Sequence, residues 1–94
     1  MKITLEVPAY SPESGITYAW EDAFTINLSI ENNSVNIQAN KEGLVSLANH
    51  FLNLAQDAIP NGHHLHLDEF NSLEQGSIEL IVEKKTDFEN QPNK

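Results

Sequence analysis

Apolar and polar residues alternate at the start of the chain: Ile3, Leu5 and Val7 against Lys2, Thr4 and Glu6. This period of two predicts a strand over 2–7, which Pro8 stops. Residues 9–21 contain a proline, a glycine and three aromatics without a clear period. They read as an irregular connection, with Tyr18 and Trp20 clamped onto the core. Alternation returns at Phe24, Ile26, Leu28 and Ile30, with Thr25, Asn27, Ser29 and Glu31 on the other side. Asn32 and Asn33 tolerate positive φ and predict a tight hairpin. The return strand places Val35, Ile37 and Ala39 on the core side.

At Asn40 the period changes. Asn40 is a good N-cap, and Glu42 suits the positive end of a helix dipole. Leu44, Leu47, Ala48, Phe51, Leu54, Ala55 and Ala58 fall at helical spacing and predict one apolar stripe, with Asn49, Asn53, Gln56 and Asp57 on the far side. Ile59-Pro60-Asn61-Gly62 ends the helix. Two further strands follow. His63 to Asp68 sets Leu65 and Leu67 against His64, His66 and Asp68, and Ser77 to Glu83 sets Ile78, Leu80 and Val82 against Glu79, Ile81 and Glu83. Between them, Phe70 or Leu73 is expected to plug the end of the core.

The order is therefore β-β-β-α-β-β. Strands with one apolar and one polar face suit an antiparallel sheet with one side wet. The expected fold class is α+β: two layers, one helix packed on a mostly antiparallel five-stranded sheet. Residues 1–84 are expected to form a single domain and 85–94 a flexible tail.

Composition sharpens this picture at one point. Fourteen acidic residues face five lysines, arginine is missing, and the formal net charge is −9. Phosphate backbones are bound through Lys and Arg, so nucleic acid and anionic lipid are unsuitable partners. An acidic surface speeds encounter with a basic one. No cysteine is present, which excludes disulfides and cysteine-ligated zinc. The amino-terminal residues lack signal-peptide features and no apolar run is long enough to span a bilayer, so the expected location is the cytoplasm and no membrane association is expected.

Chemistry concentrates at His63-His64-Leu65-His66-Leu67-Asp68. His64, His66 and Asp68 project from one face of a strand. A His-x-His pair suits zinc, with Asp68 as a third ligand. Strand neighbours stand roughly 6.5–7 Å apart, however, and other ligands are needed to close such a site. His50 lies across the sheet as a half-buried helix-edge residue. If the last two strands pair, His64 and His66 lie beside Glu79 and Glu83, where histidine–carboxylate pairs stabilise modestly and present recognition groups. No nucleophile elbow and no phosphate-cradling glycine loop is present. Neither a metal nor a cofactor is predicted, and no catalytic residue is assigned.

Several segments in order resemble the immunity protein 32 family of bacterial polymorphic toxin systems. They are Glu42-Gly43-Leu44 through Leu47-Ala48-Asn49-His50, Pro60 to Phe70, Leu73-Glu74, and Gly76-Ser77-Ile78-Glu79-Leu80-Ile81-Val82-Glu83-Lys84. The resemblance covers roughly residues 26–84. It implies a non-catalytic protein that neutralises a cognate toxin by stoichiometric binding. Many such toxins are nucleases, whose basic clefts complement a charge of −9.

The leading expectation is thus an inhibitory module whose partner-binding face holds His64, His66, Asp68, Glu79 and Glu83. The outer helix face, with Asn49, Asn53, Gln56 and Asp57, is a rival surface. The alternative is a small metal-dependent or acid/base enzyme using His64, His66 and Asp68. A third reading is a homodimer in which the first or last strand continues a sheet between copies.

Overall fold

Asn32 and Asn33 take positive φ, 52° and 64°, and close a two-residue turn between β1 (Ile26–Glu31) and β2 (Ser34–Ala39). The computed structural model describes residues 1–86. Of the expected tail, 85–94, the residues from Asp87 onward lie outside the described residues, and Thr86 N–H donates to Asn61 Oδ1 at 2.8 Å. Next comes α1 (Lys41–Leu54), then β3 (His64–Leu67) and β4 (Leu80–Glu83).

The five-stranded sheet does not form. Among the described residues there are two separate antiparallel pairs, β1–β2 and β3–β4. The broad α+β class stands, and the single sheet is replaced by two hairpins. Residues 74–78 run between them along β1: Glu74 N–H donates to Ile26 O at 2.8 Å and Ile78 N–H to Leu28 O at 2.9 Å. Five residues on one side thus span three on the other, with Gly76 at φ 88° inside the excess. The Leu28 N–H goes to the Ser77 hydroxyl, 3.1 Å away, instead of to a backbone carbonyl. Such an excess disrupts the ladder locally, and 74–78 do not join β1 as a strand.

Residues 2–7 are not a strand either. Among the described residues no strand stands beside them, and helix side chains take carbonyls of this segment and of the residues that follow. Asn49 Nδ2 donates to Glu6 O at 3.0 Å, Gln56 Nε2 to Pro8 O at 2.9 Å and Asn53 Nδ2 to Thr17 O at 2.6 Å. Tyr10 N–H returns a bond to Gln56 Oε1 at 3.1 Å, and Glu21 N–H one to Ser46 Oγ at 2.9 Å. Alternation specifies a face but not a partner, and here the backbone is satisfied by amide side chains.

The helix is accordingly turned from the expected orientation. Ser46, Asn49, His50 and Asn53 are buried, while Leu44, Phe51 and Leu52 are exposed; of the expected stripe, Leu47 and Leu54 reach the core. The N-terminus is as expected, with Asn40 Oδ1 accepting from Gly43 N at 2.7 Å and from Thr25 N at 2.9 Å. The helix ends at Leu54 rather than near Ala58. Lys84 Nζ draws the carbonyls of Gln56 and Ile59 to itself at 2.6 and 2.8 Å, and the Gln56 side chain folds back on Asn53.

Ile26, Leu28, Leu47, Leu54, Ile59, Leu65, Leu67 and Leu73 form the core, and Tyr18, Trp20 and Phe24 pack against it. Leu73 closes its end, whereas Phe70 is exposed. At Gly43 a Cβ would strike the Thr25 carbonyl oxygen and stand 2.9 Å from Ile26 Cγ1. This approach seats α1 on the Ile26–Ala39 end of the first hairpin. At the other end, with Ile30, Val35 and Ile37, no layer lies beneath among the described residues, and these side chains are exposed.

Candidate functional site

The second hairpin sets the candidate residues on one face. β3 and β4 pair antiparallel with His64 opposite Glu83, Leu65 opposite Val82, His66 opposite Ile81 and Leu67 opposite Leu80. Leu65 and Leu67 enter the core. By the period of two, His64, His66, Ile81 and Glu83 face outward. Glu79, just before β4, reaches back so that its Oε2 lies 3.0 Å from His66 Nε2. When the ring carries a proton this contact is an ion pair between exposed groups, worth at most about 1 kcal/mol. Glu83 Oε2 stands 3.9 Å from Lys85 Nζ.

Asp68 has a different task from the others. Its Oδ1 accepts from the amides of Phe70 and Asn71 at 2.9 and 3.1 Å, and Asn71 Oδ1 accepts from the Asp68 N–H at 2.9 Å. The Asp68 carbonyl also accepts from Leu73 N–H at 2.9 Å. This is an Asx turn that steers the chain out of β3 and delivers Leu73 to the core. Its second oxygen stands 3.6 Å from His66 Nε2. Among the described residues, no three His, Cys, Asp or Glu side chains stand together so as to hold a metal ion. Two grooves, of about 640 and 440 Å³, run along the amino-terminal segment; neither is lined by a histidine.

The rival helix surface is divided: Asp57 is exposed and Gln56 half-buried, whereas the two asparagines face inward. Asn53 is fully buried and Asn49 nearly so, both bonded to the amino-terminal segment. His50, expected at a half-buried edge, is fully buried, and among the described residues neither ring nitrogen has a hydrogen-bond partner. Its ring meets Trp20 and Tyr18 edge-on, with centroids 4.2 and 5.1 Å apart. Burial lowers the His50 pKa below the ordinary value and raises that of Tyr18. No signal in the sequence marks this cage, because the aromatic partners lie about thirty positions upstream in a segment without periodicity.

Comparison with known proteins adds the decisive observation. The family model described as immunity protein 32 matches residues 34–85, more than half of the chain. The chain belongs to the immunity protein 32 family. The match runs from β2 to just beyond β4 and so includes α1 and all five candidate residues. No curated protein and no solved structure matches the chain. The family description denotes an immunity role. Among the described residues, no helix is long and apolar enough to cross a membrane.

Proposed function

We propose that this immunity protein binds and neutralises a cognate bacterial toxin, of a basic, nuclease type, through the outward face of β3–β4. The observation that carries the reading is the exposed row of His64, His66, Glu79 and Glu83 on a backbone held by the ladder and by the buried Leu65 and Leu67. Rigid placement matters because side chains presented in bound geometry lose less entropy on association. The net charge of −9 supports a basic partner, and a carboxylate row is the natural complement to a cleft built for phosphates.

His66 and Glu79 act together: the contact at 3.0 Å holds the carboxylate toward the middle of the row. Asp68 contributes by shaping the turn that follows, and contacts the toxin less than the other four. Association is expected to be tight and faster at low salt, since exposed charges act mainly on the on-rate. The test is co-expression with the toxin encoded beside the gene. Protection of the cells supports the reading. Cells killed despite abundant, folded protein contradict it.

A further inference from the structure

β2 is an edge strand without the usual defences. Natural edges carry lysine, proline or a bulge. Ser34–Ala39 has no charge and no proline, and it pairs with β1 residue for residue. The opposite edge of β1 is occupied by Glu74 and Ile78, so the open side of this hairpin is the outer edge of β2.

The phase of the ladder decides what that edge offers. A two-residue turn makes Glu31 and Ser34 a hydrogen-bonded pair, and such pairs alternate along the strands. The backbone groups of Val35 and Ile37 therefore point away from β1. Asn40, on the inward phase, accordingly donates its N–H to Thr25 O at 3.2 Å. Among the described residues, no backbone bond meets the outward groups of Val35 and Ile37. Their side chains, with that of Ile30, are 65, 44 and 61% exposed.

We infer that β2 pairs antiparallel with β2 of a second copy about a two-fold axis at Asn36, making one four-stranded sheet. The register follows from the outward groups. Val35 stands opposite the second copy's Ile37, Ile37 opposite its Val35, and each such pair exchanges two backbone bonds. The exposed β-branched side chains of both copies then adjoin on one face. Charge selects this occupant. Each copy carries −9, so self-association requires a strip free of carboxylates, and β2 is one. The hairpin's Glu31 lies on β1, an outer strand of the joined sheet. The β3–β4 face, by contrast, would set Glu79 and Glu83 against their own copies. An uncharged edge offers a basic toxin no attraction.

Sedimentation of the full chain across concentration and salt tests this. We expect a monomer–dimer equilibrium that tightens as salt rises, because screening weakens repulsion between two acidic chains while the pairing itself is uncharged. Val35→Lys is expected to weaken the dimer by at least about tenfold, with an unchanged circular dichroism spectrum. Hydrogen exchange on the unmodified chain gives an independent readout should that variant misfold: the Val35 and Ile37 amides slow as the dimer forms. A monomer under every condition overturns the inference. So does a dimer that survives in folded Val35→Lys, or one in which those two amides stay unprotected. Loss of toxin binding in Val35→Lys with a monomeric parent assigns the edge to the toxin, and overturns self-pairing while leaving the immunity role intact.

Discussion

In β3–β4 the inward row, Leu65 and Leu67 with Leu80 and Val82, lies on the core over its whole length. In β1–β2 the inward row begins in the core at Ile26 and Leu28 and ends in solvent at Ile30 and Val35. Both rows alternate equally well. The difference is what lies beneath: α1 is seated by Gly43 at one end of the first hairpin and does not reach the other. The outer surfaces differ too, since the second hairpin exposes carboxylates and histidines while the first exposes an uncharged strand. Period alone reports a face; it does not report whether that face is covered.

The largest expected effect breaks the comparison at its anchored end. Leu65→Ala removes a side chain that is 2% exposed, and should lower the unfolding free energy by about 2–5 kcal/mol in urea titration. A loss near zero would mean that the second hairpin is not anchored. Gly43→Ala should lower it by about 1–3 kcal/mol despite alanine's better helix propensity, because the methyl meets a carbonyl oxygen. Stabilisation by that change would show that the helix is not seated as described. Asn53→Ala strands the Thr17 carbonyl and should lose about 1–3 kcal/mol. At the bare end of the first hairpin, Ile30→Thr should change stability by no more than about 0.5 kcal/mol. A loss comparable to that of Leu65→Ala would erase the distinction between the hairpins.

His50 gives a pH dependence whose sign is fixed by its burial. Its pKa in the folded chain lies below the ordinary 6.5, so the unfolded chain binds the proton more readily. The stability from the neutral, caged ring is present above that value and declines as pH falls beneath it. Thermal melts taken from about pH 7 down to about pH 5 should therefore fall, and His50→Phe should flatten the fall. An unaltered slope in the variant would assign the dependence to other groups.

Much of this was legible from the sequence. Asn32-Asn33 has the turn chemistry it uses, Asn40 caps the helix it was expected to cap, and the alternation from His63 to Asp68 places His64 and His66 outward with Leu65 and Leu67 inward. Those features are local, and each is decided within a few residues. What could not be read depended on distant partners. Ile3, Leu5 and Val7 alternate, yet their segment is held by Asn49 and Gln56 more than forty positions on. The same bonds bury the helix face that looks polar and leave Leu44 and Phe51 outside. Asp68 alternates with His64 and His66 and was expected to share their partner-binding face, but two backbone amides hold its Oδ1 in the turn after β3.

The most direct measurement is the association rate with the neighbouring toxin at about 50 mM and about 500 mM salt, for the native chain and for Glu79→Lys/Glu83→Lys. The account predicts a rate that falls by about tenfold or more with salt for the native chain, and a double variant that starts slower and has lost most of that dependence. Equal rates for both proteins at both salt concentrations would contradict the assignment of the acidic β3–β4 face to the toxin.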